Sequence, residues 1–234
     1  MKLPIVCPKC MQVDLQRTRP FSTVEFCDDG RYQVTCPHGH TTLTVLQQEK
    51  FEVLFEIGAW AILDGYYREA VSSFAASLER FLEYYVRAAV SQTGIDRSKA
   101  DMAWKTVASQ SERQLGAFTF VYLMAVGERP VMLSQKMVQF RNEVVHKGKI
   151  PTRQESVEYG QAVLDVVRPA MADAVARFPE GVTDAMFRQV DYGAAAADVE
   201  AVATMCVPTI LSLTVGTPGH NSVPLDDALR TLKR

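Results

Sequence analysis

The chain has 234 residues, of which 47% are hydrophobic and 22% are charged, and its formal net charge is -2. This is the composition of a globular protein, and the near-zero charge excludes a polyelectrolyte that binds nucleic acid over its whole surface. No stretch approaches the roughly 18 apolar residues of a membrane span, and the N-terminus lacks the apolar core of a signal peptide. We therefore expect a cytoplasmic protein with no membrane segment, whose five cysteines are metal ligands or reduced thiols rather than disulfides.

Residues 1–49 are predicted to form a small module of short strands. Four stretches are rich in β-prone residues: Val13–Thr18, Thr23–Phe26, Tyr32–Thr35 and Thr41–Leu46. So few short strands bury too little apolar surface to be stable alone. We therefore expect a metal ion to hold the module together.

Two groups of Cys and His residues in this module are spaced like the two halves of a zinc ribbon. The first is Cys7-Pro8-Lys9-Cys10 and the second is Cys36-Pro37-His38-Gly39-His40. They predict a structural zinc ion bound by Cys7, Cys10, Cys36 and His40. His38 is the alternative fourth ligand and Cys27 a more distant one, because the second group is not a clean Cys-x-x-Cys. A redox-active Cys-x-x-Cys and simple buried thiols are the competing interpretations.

From Phe51 onward the apolar residues recur with helical spacing. Phe51–Leu63 is apolar on nearly all sides, and Tyr66–Val90 carries one long apolar stripe. A third and a fourth helix follow the apolar residues from Leu115 to Ala125 and from Leu133 to Val144. The capping box Thr152-Arg153-Gln154-Glu155 begins a fifth helix that runs to about Arg177. The pattern predicts a mainly α, up-and-down helical bundle over residues 50–180.

Residues 181–234 are expected to form a short mixed extension of unknown role. Pro179-Glu180-Gly181 is expected to end the bundle, and Cys206 to be a buried small side chain. The predicted elements of the extension are a helix near Ala194–Ala197, a strand over Thr209–Val215, a loop that carries His220 and a helix over Leu225–Leu232.

The end of the fourth predicted helix concentrates residues suited to proton transfer beside an anion. Arg141, Asn142 and His146 lie within two helical turns, in a chain with only four histidines. A guanidinium and an imidazole are the minimum set of groups for moving a proton beside a phosphodiester. The stretch from Arg129 to Arg153 also contains a single acid, Glu143, among its basic residues, so an anionic ligand is expected there. A polar helix end that stops at Gly148 is the simpler interpretation.

Helical geometry separates these side chains. Asn142 and His146 are four residues apart and share a face, whereas Arg141 lies about 140° away from His146 around an ideal helix. Arg141 must therefore reach around the helix, or the helix must loosen near Gly148, or a second copy of the chain must complete the site. Glu79 and Arg80, on the polar side of the second helix, are either solvated charges or face this cluster.

The motif Arg141-Asn142-x-x-x-His146 at the end of the fourth helix resembles that of the HEPN family of helical nucleotide-binding domains. The second helix, which reads Arg68-Glu69-Ala70-Val71 to Ser77-Leu78-Glu79-Arg80-Phe81, adds to the resemblance. The resemblance covers about residues 50–178. Members with an Arg-x4-6-His motif are metal-independent ribonucleases of defence, toxin and RNA-processing systems.

The resemblance implies a HEPN-like fold and an endoribonuclease in which His146 is the general base or acid at the RNA 2'-OH or the leaving oxygen. Arg141 would stabilise charge on the phosphate, and Asn142 would orient the histidine or a phosphate oxygen. The neighbouring Lys147, Lys149 and Arg153 are the expected RNA-binding residues.

The resemblance also implies a homodimer whose two motifs form one cleft, with a role in antiphage defence or a toxin system. The zinc module lies outside the family's core, and we expect it to hold RNA or a partner protein. Two alternatives remain open. One is a non-catalytic HEPN adaptor that binds nucleotide or RNA, and the other is a zinc-ribbon interaction protein whose bundle only dimerises.

Overall fold

A computed structural model of the chain describes residues 2–13, 19–191, 198–213 and 219–232. The chain is mainly helical, with small sheets formed largely by its N-terminal residues. It divides into a first unit, Met1–Gln48 with Met186–Val207, and a second unit, Glu49–Ala185 with Pro208–Arg234. Residues 181–234, which the sequence analysis treats as one extension, are thus divided between the two units. Among the described residues, no helix is both long and apolar enough to cross a membrane.

The first unit contains two small sheets. In one sheet, β1 (Lys2–Ile5) pairs antiparallel with β2 (Ser22–Glu25). The other has the order β3 (Arg31–Thr35), β4 (Thr41–Leu46) and β5 (Ala201–Met205), in which β3 and β4 are antiparallel and β4 and β5 are parallel. A short helix, α1 (Pro8–Val13), follows β1.

Three of the strands predicted in the N-terminal module are present as β2, β3 and β4. The strand predicted over Val13–Thr18 is wrong at Val13, which ends α1, while residues 14–18 lie outside the described residues. β1, α1 and β5 are not predicted by the sequence pattern. Cys206, which directly follows β5, is exposed, so the expectation of a buried thiol is wrong. The helix predicted near Ala194–Ala197 lies outside the described residues.

The second unit is built from helices. They are α2 (Lys50–Leu63), α3 (Tyr67–Gln92), α4 (Arg97–Lys105), α5 (Ser111–Val126), α6 (Gln135–Lys147), α7 (Arg153–Arg177), α8 (Pro179–Val190) and α9 (Leu225–Thr231). The five predicted helices of the bundle are α2, α3, α5, α6 and α7, and the predicted terminal helix is α9. The expectation that Pro179-Glu180-Gly181 ends the bundle is wrong, because Pro179 begins α8; proline is well tolerated in the first turn of a helix. From Met186 onward α8 belongs to the first unit.

Helix α3 is central to the second unit, since it contacts α2, α4, α5, α6 and α7. The apolar stripe predicted on α3 is its buried face, and aromatic rings fill much of the surrounding core. The ring of Phe74 lies 4.6 Å from that of Phe55 in α2, and the ring of Tyr85 lies 5.1 Å from that of Phe118 in α5. This core fixes α5 and α6 against α3.

Two buried glutamates of α2 bind the segment predicted as a strand over Thr209–Val215. A carboxylate oxygen of Glu52 accepts from the backbone N–H of Leu213 at 2.7 Å, and one of Glu56 accepts from the N–H of Ile210 at 3.0 Å. Burial raises the pKa of Glu52 to about 8 and also raises the pKa of Glu56. Residues 209–213 are therefore held by side chains and form no strand, while residues 214 and 215 lie outside the described residues.

Candidate functional site

The cysteines and histidines of the first unit converge from two short segments. Cys7 precedes α1 and Cys10 lies within it, whereas Cys36 follows β3 and His40 precedes β4. The β3–β4 turn is closed by a hydrogen bond from the Cys36 N–H to the His40 carbonyl at 3.0 Å. Gly39 has a φ of +86° in this turn, a left-handed conformation that glycine adopts without strain. The turn thus places His40 beside Cys36.

The four potential ligand atoms of Cys7, Cys10, Cys36 and His40 all lie within 4.8 Å of one another. The Sγ atoms of Cys10 and Cys36 are 3.8 Å apart, and His40 Nδ1 lies 3.4, 3.6 and 3.9 Å from the Sγ atoms of Cys10, Cys36 and Cys7. Ideal tetrahedral coordination by zinc places ligand sulfurs about 3.8 Å apart and sulfur and nitrogen about 3.6 Å apart, from its ordinary bond lengths. The cluster is compatible with a structural metal site.

The two alternative ligands take different positions. His38 Nδ1 also lies 3.5 Å from Cys10 Sγ, but the mutually close set is completed by His40. Cys27 is exposed, and its thiol donates to Asp29 Oδ1 at 3.2 Å. His40 is therefore the fourth ligand that the geometry favours.

The surroundings of the cluster act on the ionisation of its sulfurs. Burial and the neighbouring Cys7 and Cys36 raise the pKa of Cys10 to about 11. Burial also opposes ionisation of Cys36, but hydrogen bonds from the backbone at His38 and His40 outweigh it and lower the pKa of Cys36 to about 6. Several sulfurs this close repel one another as thiolates, and a bound cation would relieve that repulsion.

A second cluster lies at the end of α6, where the sequence places the Arg-x4-His motif. Arg141 Nη1 approaches His146 Nε2 to 3.4 Å and donates to Asn142 Oδ1 at 3.1 Å. The helix continues through Lys147 and ends at Gly148, which has a φ of +73°. Arg141 therefore reaches around an intact helix, and one chain brings the three motif residues together. His146 is exposed.

Residues from two other helices complete the second cluster. Arg141 Nη2 donates to Glu79 Oε1 of α3 at 2.7 Å, and the hydroxyl of Ser111, the first residue of α5, donates to the same oxygen at 2.8 Å. Glu79 thus faces the cluster, whereas Arg80 bonds to Glu83 and Gln114. For Glu79 this position is one of the two alternatives that the sequence left open. Ser111 was not predicted, because no local sequence pattern indicates that it lies near the motif.

The charges of this ion pair act on a buried tyrosine of α7. Tyr159 of α7 is 1% exposed, and burial raises its pKa, while the charges of Arg141 and Glu79 act on it in opposite directions. Its ring lies 5.8 Å from the ring of Phe140 in α6. The sequence analysis also misses Tyr159.

The predicted RNA-binding cations are partly neutralised by carboxylates. Lys149 Nζ lies 2.9 Å from Glu155 and 3.7 Å from Glu143, and Arg153 Nη2 lies 3.0 Å from Asp226. Lys147 is exposed, and among the described residues it forms no ion pair. Glu155, just beyond the stretch from Arg129 to Arg153, and the distant Asp226 thus reduce the positive charge that this stretch suggests.

No family model, no curated protein and no solved structure is significantly similar to it. The chemistry of the two clusters and the motif resemblance are therefore the observations that bear on function.

Proposed function

We propose that the protein is a metal-independent endoribonuclease of the HEPN type, with a zinc-ribbon-like module held by a structural zinc ion. The observation that carries this proposal is the 3.4 Å approach of Arg141 Nη1 to His146 Nε2 at the exposed end of α6. A guanidinium only donates hydrogen bonds, so His146 uses Nε2 as an acceptor in this contact. The lone pair on Nε2 is the one that a general base needs.

In the proposed reaction, His146 Nε2 takes the proton of an RNA 2'-OH, and the 2'-oxygen attacks the adjacent phosphorus. The bond from phosphorus to the 5'-oxygen breaks, and that oxygen takes a proton from the imidazolium or from water. The products are a 2',3'-cyclic phosphate and a 5'-hydroxyl. Arg141 stabilises the negative charge on the phosphate by moving Nη1 from His146 to a phosphate oxygen, while Nη2 stays on Glu79. Asn142 orients the imidazole or a phosphate oxygen.

Zinc is the metal we assign to Cys7, Cys10, Cys36 and His40. Three sulfurs and one imidazole nitrogen at tetrahedral separations are a common structural zinc ligand set, and four protein ligands leave no open position for catalysis. The resemblance to HEPN ribonucleases further suggests a cytoplasmic homodimer in antiphage defence or a toxin system. In that setting the zinc module holds RNA or a partner protein.

A single-turnover assay on mixed RNA, with analysis of the product ends, tests the ribonuclease. We expect wild type to cut RNA without added divalent metal and to leave cyclic phosphate ends. His146→Ala and Arg141→Ala are expected to lower the rate by about a hundredfold or more, because each removes a group that acts on the reacting atoms. Arg129→Ala changes another exposed arginine of the same stretch and should retain wild-type activity.

Chelation needs its own control in this assay, because EDTA also competes for a structural zinc ion. Each sample is therefore checked for metal content and helicity before RNA is added. If the folded His146→Ala variant cleaves RNA at the wild-type rate, the ribonuclease proposal is refuted.

A non-catalytic adaptor that binds nucleotide or RNA is the second candidate. The ion pair between Arg141 and Glu79 favours it, since a guanidinium already bound to a carboxylate also has a purely structural use at a helix end. RNA binding by wild type without cleavage of any RNA would support the adaptor and refute the ribonuclease.

A further inference from the structure

A cavity in the second unit is lined by Arg168, a cation that forms no ion pair with any of the described residues. The cavity has a volume of about 280 Å³ and lies where α7, α9 and the segments around Thr209 and His220 meet. Its polar lining residues are Arg168, Thr209, His220 and Thr231, and Ile210 and Leu232 are among the apolar ones. The motif residues of α6 do not line it.

The guanidinium of Arg168 in α7 makes only some of the hydrogen bonds that it can donate. Its Nη1 donates to the carbonyl of Val223 at 2.8 Å. Its Nε and Nη2 are buried and have no hydrogen-bond acceptor among the described residues, and no ion pair with Arg168 is found there either. Asp165, one turn earlier, is exposed and accepts from Gln161 at 2.7 Å. Burial lowers the pKa of Arg168, and the charge of the nearby Asp165 acts more weakly in the opposite direction.

The other polar groups near the cavity do not supply the missing acceptor. His220 Nε2 donates to the Thr209 carbonyl at 2.7 Å, because a carbonyl oxygen only accepts. Glu56 is close enough for His220 to lower its pKa against the larger opposite effect of burial. Its carboxylate accepts from the Trp60 indole with one oxygen and from the Ile210 N–H with the other. Among the described residues that line the cavity, the buried side-chain donors left without an acceptor are therefore Nε and Nη2 of Arg168.

We propose that this cavity binds a small organic anion, whose carboxylate or phosphate oxygens accept hydrogen bonds from Arg168 and whose apolar part contacts Ile210 and Leu232. The volume has room for roughly nine water-sized groups, which limits the ligand to a short apolar body. Nε and Nη2 are closed to water, so the guanidinium must rotate to present them to the ligand. Charge-assisted hydrogen bonds to the anion offset the burial of the guanidinium.

Isothermal titration calorimetry of the full chain tests the proposal with butyrate, inorganic phosphate and butyramide, the uncharged analogue of butyrate. We expect saturable binding of at least one anion and none of butyramide, and the better anion identifies carboxylate or phosphate as the ligand group. Arg168→Met is expected to weaken anion binding by at least about tenfold, because it removes the charged donors. Arg177→Met, on the same helix but outside the cavity, should bind as wild type does.

A second variant covers the case in which Arg168→Met does not fold. Ala228→Leu fills the cavity and keeps Arg168, and it should also weaken binding by at least about tenfold. Unchanged affinity in either folded variant, equal binding of butyramide, or no saturable binding of either anion overturns the proposal.

Discussion

The two units of the chain are stabilised in different ways. The first unit has two small sheets, and the partly buried Phe21 packs against its cluster of buried sulfurs. The second unit has a large aromatic core around α3. If the Cys/His cluster binds the proposed metal ion, that ion would supply the first unit with stability that the second unit draws from its larger apolar core. Metal removal and core substitutions should therefore affect different units.

Metal removal is the prediction with the largest effect. A filled structural zinc site contributes on the order of 10 kcal/mol of apparent binding energy, more than a few short strands supply on their own. Chelation, or Cys10→Ser, is expected to abolish amide protection in β3 and β4 while the helices of the second unit keep theirs. Hydrogen exchange read by mass spectrometry measures both in one experiment.

The matched control for this prediction is Cys27→Ser. Cys27 belongs to the same unit but is exposed and outside the cluster, so its variant should keep both the metal and the protection. If the amides of β3 and β4 stay protected in metal-free protein, the first unit does not depend on a metal ion for its stability.

Close packing in the second unit gives the next largest effect. A Cβ added to Gly181 of α8 would lie 2.0 Å from the carbonyl oxygen of Ala88 in α3, so backbone must move to admit it. Gly181→Ala is expected to lower the free energy of unfolding by about 3 kcal/mol, as overpacked cores do. Urea denaturation followed by circular dichroism measures the change, and the metal content of the first unit should not change.

Gly116→Ala is the control for Gly181→Ala. Gly116 lies within α5 and has nothing within 4 Å of the position of an added Cβ, so its variant should be more stable by roughly 0.5–1 kcal/mol. Equal stabilities for the two variants would contradict the close approach of α3 and α8.

The fold was predictable from the sequence where local pattern decides the structure. Helical periodicity predicts α2, α3, α5, α6 and α7, and the capping box at Thr152 and Glu155 is formed. β5 was not predictable, because its partner strand β4 lies more than 150 residues earlier and pairing of distant segments leaves no local signal. Pro179 and Gly181 predict the end of the helical bundle. In the structure, however, the proline begins α8 and the glycine permits a close contact between α8 and α3.

The two clusters also differ in how far the sequence predicts them. The potential metal ligands come from two short segments whose spacing is visible in the sequence, and the structure places Cys7, Cys10, Cys36 and His40 together. The arrangement around Arg141 depends on how α3 and α5 pack against α6. The spacing of residues along the sequence does not predict this packing. Tertiary packing likewise brings Asp226 to Arg153, 73 residues away in sequence, and reduces a basic surface that the sequence suggests.

The smallest expected effect belongs to Glu79, the residue that tertiary packing adds to the motif. Glu79→Gln keeps the size of the side chain and one oxygen acceptor for Arg141 but removes the charge that orients the guanidinium. If the protein is the proposed ribonuclease, cleavage should fall roughly tenfold, mostly in kcat, because Arg141 acts on charge that develops in the transition state. Glu69→Gln changes a glutamate of the same helix that, among the described residues, forms an ion pair with Arg68 alone, and it should leave cleavage unchanged. Equal rates for Glu79→Gln and Glu69→Gln would show that the ion pair stabilises the helix end without positioning Arg141.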